Sequence, residues 1–249
     1  MKTIYSRIVV ILGIILFWEI TVQISGVEHF ILPGPYRVFQ TLIIKFPMIL
    51  QHSIITGTEM LIGLTIGSVF GFFLACVLGL SKPLSKAMLP VLVISQALPV
   101  FAIAPILMLW FGYGMGSKII MTTLIVFFPI TLATLNGFSQ IPSEWLNTLQ
   151  LLSEKKIRIF FYVELLFALP HAVSGLRIAA SITPIGAVVG EWVGSSGGLG
   201  YLMLYANGRG QTDLMFASLT MLIFLALALW WLVNLAINSL KRFGIKQID

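Results

Sequence analysis

Apolar residues run along this chain in six long blocks, at about 8–26, 54–80, 88–111, 119–137, 172–193 and 214–238. Each is close to the ~20 residues a helix needs to cross a hydrocarbon core. Charge agrees with the pattern: no Asp, Glu, Lys or Arg lies between Lys86 and Lys118, between Lys118 and Glu144, or between Asp213 and Lys241. Lipid offers no partner to a backbone amide, and the alternation of barrel strands is absent, so the blocks are predicted to be helices. The expected fold class is an all-α membrane protein of about six transmembrane helices, five being the alternative count, in a single domain covering 1–249.

Details within the blocks refine this. Gly63, Gly67, Gly71, Ala75 and Gly79 recur every four residues, which makes one smooth helix face for close packing against a neighbour. Pro90, Pro99 and Pro105 fall in the third block and Pro184 in the fifth. They predict bends, which either border a pathway or serve packing alone. The segment ILPGPYRVFQTLIIKF, from Ile31 to Phe46, predicts a turn followed by a short amphipathic helix with Pro35 in its first turn.

One stretch breaks the apolar pattern. Ser143 to Arg177 holds seven charged residues between two apolar blocks. Ser143 follows Pro142 and suits a helix N-cap. Trp145, Leu146, Leu149 and Leu152 then share one side, against Glu144, Asn147, Gln150 and Ser153. Ser153 to Lys156 is a polar break, Ile157 to Leu169 a second helix, and Pro170 marks the entry to the next span. Such a short amphipathic helix covers its apolar face on lipid or in a groove of a partner; the mixed charges, Glu154 beside Lys155, favour a protein.

Composition settles the class. The chain is 58% hydrophobic and 10% charged, against about 25% charged in soluble domains. Its net charge of +6 is scattered along membrane flanks, so no nucleic-acid partner is expected. Taking the N-terminus as inside, eleven Lys and Arg face the cytoplasm and four, Arg37, Lys45, Lys118 and Arg209, face out. This asymmetry puts both termini and the charged interruption in the cytoplasm. Lys2, Arg7 and the apolar run after them resemble a signal peptide, but Trp18, Glu19 and Ile20 follow where a small-residue cleavage site belongs, so an uncleaved first span is expected. The single cysteine, Cys76, excludes an intrachain disulfide and a cysteine-rich metal site.

Two motifs invite chemistry. GYGMGSK, Gly112 to Lys118, has Gly-Ser-Lys instead of Gly-Lys-Ser/Thr and no strand before it, so a turn is expected and no nucleotide site. GSSGG, Gly194 to Gly198, matches a serine-nucleophile elbow, and a flexible turn equally well. The enzyme alternative, an intramembrane hydrolase using Ser196, needs a base from His29 or His52. Acids inside apolar helices are costly, about 2.5–3.5 kcal/mol on insertion scales. Glu191 therefore reads as an outer-gate or pathway residue or as an interfacial acid. Glu19 and Glu59 read as pathway groups, as near-terminal acids that snorkel to water, or as helix–helix hydrogen-bonding partners.

From Ser143 onward the chain resembles the cytoplasmic coupling loop of bacterial binding-protein-dependent ABC-importer permeases. ILPGP, ALPVFAIAPILMLWFGYGMGSKII, FFPI, GLRIA, GEWVGSSGGLGYLM and TDLMFA resemble the same family in the same order. Aligned on Ala168-Leu169-Pro170, the family's Glu-Ala-Ala place holds Asn147-Thr148-Leu149 and its glycine place holds Ser153. The resemblance points to the nitrate, sulfonate, taurine and thiamine-pyrimidine branch. VISQALP, GEWVG and Glu59, where sulfonate members tend to have arginine, point toward permeases for thiamine-precursor pyrimidines or riboflavin.

The resemblance implies a type I ABC-importer permease fold and a coupling loop at about 138–171. It also implies a homodimer with a second permease copy, two ABC ATPase subunits that bind ATP-Mg, an external solute-binding protein, and an inner-membrane location among lipid. No cofactor or metal is expected on this chain. The expected ATPase-coupling residues are Glu144, Leu146, Leu149, Leu152, Ser153, Lys155, Lys156 and Ile157. Ser95, Gln96, Asn136, Glu191 and Trp192 are the expected pathway residues, with hydrogen bonds for ring nitrogens and an indole for stacking. Gly63, Gly67 and Gly71 are the expected packing residues. Span interiors without arginine, Arg177 being counted at the cytoplasmic face, speak against an anion route. A carrier acting alone would need a midplane ion pair, and none is evident.

Overall fold

A computed structural model describes residues 2–151 and 155–242. Eleven helices fill them: α1 (Lys2–Ser25), α2 (Pro35–Ile44), α3 (Phe46–Gly79), α4 (Lys82–Ala97), α5 (Val100–Phe111), α6 (Met115–Ser139), α7 (Ser143–Leu151), α8 (Lys156–Ile159), α9 (Leu165–Gly194), α10 (Leu199–Gly208) and α11 (Thr212–Arg242). A π-helical stretch, Phe160–Glu164, joins α8 to α9. Lys156–Gly194 is thus one helical run of 39 residues, about 58 Å at 1.5 Å per residue and well over the ~30 Å hydrocarbon core.

Among the described residues, four helices are long and apolar enough to cross a membrane: α3, α6, the run through α9, and α11. The predicted third span is not one rod. α4 and α5 meet at 92°, because Leu98 and Pro99 are extended and a proline disfavours helix in the residue before it. The pair makes up to a fifth span. The described apolar part of the first block is shorter, Val9–Ser25. Pro170, expected at a span entry, lies inside α9; the helix continues past it, with Ser174 Oγ donating to the Pro170 carbonyl at 3.1 Å.

The chain packs as two compact units. One comprises residues 1–56 and 196–224. In it, Gly34 caps α2 and Pro35 opens it, and the α2 face of Val38 and Thr41 is buried. Thr41 Oγ1 donates to Asp213 Oδ2 at 2.9 Å, and Thr212 Oγ1 to the His29 carbonyl at 3.0 Å. The Trp18 ring lies 5.7 Å from that of Phe216.

Residues 57–195 and 225–249 form the other unit. Its core gathers Met60, Leu64, Val126, Ile130, Ala179, Ala180, Ala187 and Leu229 from α3, α6, α9 and α11. The α3–α6 seam is set by glycine. A Cβ on Gly63 would lie 2.5 Å from Thr122 Cβ, one on Gly67 2.8 Å from Val126 Cγ1, and one on Gly71 2.5 Å from the Phe127 carbonyl oxygen. α9 meets α6 in the same way, through Gly175 on the Pro129 carbonyl, Gly186 on Thr122 and Gly190 on Lys118.

Candidate functional site

Two polar regions stand out in the second unit, near opposite ends of α6 and α9. The first surrounds α7. Gly79, Leu80, Lys82 and Pro83 at the α3–α4 turn, with Leu146, Lys156, Ile159, Phe160 and Glu164, line a cavity of about 440 Å³. Phe160 is buried, its ring tilted against that of Phe138 with centroids 5.4 Å apart. Glu164 lies in the field of Lys82 and Lys156. On α7, Leu146 and Leu149 are half-buried while Glu144, Asn147 and Thr148 are exposed. Trp145 is exposed but sets its ring edge-on to Phe167 at 6.2 Å. Lys155, Lys156 and Ile157 are exposed. Leu152 and Ser153, also expected to couple, lie outside the described residues. α7 therefore rests Leu146 and Leu149 inward, while Glu144, Trp145 and Leu151 lie on its exposed side.

The second region is ionisable. Glu59 of α3 and Glu191 of α9 are each 1% exposed, and Lys118 of α6 is 4% exposed. Glu191 and Lys118 are charged groups whose fields reach Glu59. The Lys118 amine donates to the carbonyls of Tyr113 and Gly114 at 3.0 and 3.2 Å. GYGMGSK accordingly forms a turn and the start of α6, its lysine satisfied by the loop's own backbone. Lys118 falls within the helix it was expected to flank, and the grouping with Glu59 escaped sequence reasoning. The signal was there: Glu59 lies four residues before Gly63, and Lys118 four before Thr122.

The expected pathway residues are spread over three helices, Ser95 and Gln96 on α4, Asn136 on α6, and Glu191 and Trp192 on α9. Ser95 Oγ donates to the Leu92 carbonyl at 2.7 Å. Gln96 donates to the Leu124 carbonyl at 3.4 Å, linking α4 to α6. Asn136 is exposed near the far end of α6, eighteen residues from Lys118, about 27 Å along the helix. Trp192 is 41% exposed, whereas its neighbour Glu191 is buried. Arg177, counted at a membrane face, lies inside α9, half-buried, with Nε lacking a hydrogen-bond partner. A cation thus sits within the 39-residue helical run.

In the first unit, the glycine loop before α10 is tied to α3. His52 Nδ1 accepts from the Gly198 amide at 3.0 Å and Thr56 Oγ1 from the Leu199 amide at 2.7 Å, which satisfies amides a helix start leaves open. Ser196 is exposed, and His52, one of the two expected bases, has its Nδ1 engaged as a backbone acceptor. His52 also stacks on Tyr201 at 5.9 Å, followed by Tyr205 and Arg209.

The geometry is that of a helical membrane protein with a polar, amphipathic segment at one end, and known proteins agree with the membrane fold. The family described as binding-protein-dependent transport system inner membrane component matches residues 67–243. A probable ABC transporter permease protein of Haemophilus influenzae is 46% identical, over 94% of this chain and 96% of that one. The formylaminopyrimidine transport permease protein ThiX of Halalkalibacterium halodurans is 34% identical, over 80% and 81%. The riboflavin transport system permease protein RibX of Chloroflexus aurantiacus is 35% identical, over 94% and 88%. In fold, the chain is similar to an inward-facing MetNI methionine ABC transporter chain, with TM-score 0.67, 19% identity, and 78% and 97% covered. That likeness identifies the type I importer fold, and the relatives are transport permeases, not enzymes. Residue by residue and helix by helix, this multi-pass inner-membrane chain belongs to the permeases of binding-protein-dependent ABC importers.

Proposed function

We propose that the chain carries a small neutral heteroaromatic solute inward, a thiamine-precursor pyrimidine first among them. The observation that carries this is the pair of relatives at 34% and 35% identity, whose names give formylaminopyrimidine and riboflavin. Relatives named for aliphatic sulfonates, taurine and nitrate lie at 25–30%. Ser95, Gln96 and Asn136 offer neutral hydrogen-bonding groups, and exposed Trp192 offers a stacking face. Glu191, buried beside Trp192, completes the set as a pathway or outer-gate group.

In this reading two permease copies work with two ATPase subunits, which bind ATP-Mg, and with a solute-binding protein on the other side. Both termini and the loop at about 138–171 are cytoplasmic, as the Lys and Arg distribution supports. The outer face of α7, with Glu144, Lys155, Lys156 and Ile157, docks on the ATPase. Leu146 and Leu149 anchor α7 to the permease, and Leu152 and Ser153 complete the segment. The ATPases' closure then biases a two-state helix arrangement through contacts that differ between states.

A sulfonate, taurine or nitrate solute is the second reading, and Arg177 is the observation that favours it. Uptake by the assembled transporter in proteoliposomes, competed with an aminopyrimidine, riboflavin and taurine, decides between them. Competition by the aminopyrimidine is expected. Competition by taurine alone, abolished in Arg177→Gln, overturns the proposal in favour of the anion.

A further inference from the structure

The cavity beside α7 has a neighbour of about 420 Å³. Gly79, Lys82, Leu146 and Glu164 line both, so the two are lobes of one space around the α3–α4 turn. Each lobe alone falls within the ~300–1,000 Å³ of small-molecule sites. Among the described residues that line it, Lys82, Lys86 and Lys156 are cations and Glu164 is the single acid. Three ammonium groups against one carboxylate leave an excess of positive charge, which an anionic group would balance. Lysine meets phosphate as a compact point charge with several donors. Glu164 in turn offers a place for a cationic group on the same ligand.

The surroundings say where such a ligand comes from. Leu80, where the apolar block of α3 ends, lines one lobe, and Ser139, the last residue of α6, lines the other. The space therefore lies at the ends of two spans, at the depth where lipid headgroups begin. Large apolar side chains beside the lysines are exposed there: Leu84, two residues after Lys82, and Ile157, Phe161 and Tyr162, which lie between Lys156 and Glu164 in sequence. A free phosphate ion would leave those side chains uncovered. A phospholipid covers them with its chains while its phosphate reaches the cations, as headgroups do in basic pockets between spans.

We propose that the space around the α3–α4 turn binds the headgroup of a membrane phospholipid, its phosphodiester on Lys82, Lys86 and Lys156 and an ethanolamine ammonium on Glu164. The site is separate from the solute. It lies beside the segment proposed above to dock on the ATPase, and lipid binding does not require that docking. A headgroup held there touches the α3–α4 turn, α4 and α8 at once. It therefore stabilises the arrangement on which Leu146 of α7 rests, because a ligand of the packed state favours that state.

The test is native mass spectrometry of the purified transporter, with its partner subunits, released from nanodiscs of phosphatidylethanolamine, phosphatidylglycerol and phosphatidylcholine. Wild type is expected to retain phosphatidylethanolamine above its share of the bilayer. Lys82→Gln and Lys86→Gln, both at exposed side chains, are expected to keep the thermal midpoint in pure phosphatidylcholine. Each is expected to weaken retention of phosphatidylethanolamine about five-fold, the factor for ~1 kcal/mol per basic residue at a membrane surface. Glu164→Gln is expected to retain phospholipid but to lose the preference for ethanolamine over glycerol headgroups. Retention that follows bilayer composition, or that is unchanged when Lys82 and Lys86 are both replaced, overturns the proposal. So does an ethanolamine preference that survives Glu164→Gln. Displacement of the lipid by inorganic phosphate assigns the space to a free anion, and retention only after the ATPase subunits are removed assigns it to their interface; either result overturns the lipid. The readout needs neither transport nor coupling, so a wrong solute or a wrong coupling face leaves it unaffected.

Discussion

The glycine seam of α3 gives the sharpest test of the fold, because three glycines on one helix meet three different surroundings. Gly57 has only Leu225 Cδ2 within reach of an added Cβ, at 3.9 Å, an ordinary contact. Gly57→Ala is expected to stabilise by about 0.8–1 kcal/mol, the helix-propensity difference alone. At Gly71 the added Cβ lies 2.5 Å from the Phe127 carbonyl oxygen and 3.1 Å from its Cα. Backbone on a packed helix cannot swing aside, and overpacking of this kind costs about 1–3 kcal/mol. Parting the helices also stretches the bond from Thr131 Oγ1 to the Gly71 carbonyl, 3.0 Å, at about 0.5–1.5 kcal/mol. After subtracting the propensity gain, Gly71→Ala is expected to destabilise by about 0.5–3.5 kcal/mol.

Gly63 separates side-chain from backbone crowding. Its added Cβ meets Thr122 Cβ and Cγ2, both at 2.5 Å, and Thr122→Gly removes both atoms. A double-mutant cycle for Gly63→Ala with Thr122→Gly is expected to show a favourable coupling of about 1–3 kcal/mol. The cycle for Gly71→Ala with Phe127→Ala is expected to be close to additive, because the obstructing atoms remain. Equilibrium unfolding in mixed micelles measures all of these. Equal stability of Gly57→Ala and Gly71→Ala would falsify the close α3–α6 approach.

Two further outcomes follow. Leu149→Asp, or Lys155→Glu with Lys156→Glu, is expected to leave membrane insertion intact and sever ATP hydrolysis from uptake; undiminished ATP-driven uptake removes α7 and the residues after it from the coupling role. Thr56→Val strands the Leu199 amide at a buried helix start and is expected to cost about 1–3 kcal/mol, read as a lower thermal midpoint, whereas Ser196→Ala, at an exposed hydroxyl, is expected to leave it unchanged.

Hydropathy alone reads most of this fold, because lipid forces the backbone into helices and the helices to a minimum length. It reads less where tertiary partners extend a helix or arrest one. α3 begins at Phe46, eight residues before its apolar block, because Ser53, His52 and Thr56 find acceptors or donors on their own helix and on the glycine loop. The right-angle break at Pro99 was foreshadowed only as a bend. The site was less legible for a similar reason. Glu59, Lys118 and Glu191 are far apart in sequence, and each looks like a lone interfacial charge. Only the layering of Gly63, Thr122 and Gly186 shows that they share one level.

The glycine contacts also say how displacement at α7 would travel. From Glu164 to Glu191 is 27 residues, about 40 Å of helix. Between them α9 meets α6 through Gly175 and Gly186, and α6 meets α9 through Gly137 on the Ala168 Cα at 2.9 Å. Backbone against backbone leaves no long side chain to absorb a shift by changing rotamer, and close-packed interiors transmit strain rather than damp it. Compliance collects at Pro129 of α6, at Pro170 and Pro184 of α9, and at the π-helical stretch Phe160–Glu164, the features at which helices bend. A push on the groove around Lys156 and Glu164 would therefore move α6 and α9 together. α3 meets α6 by the same kind of contact, Gly71 on the Phe127 carbonyl oxygen, and would follow.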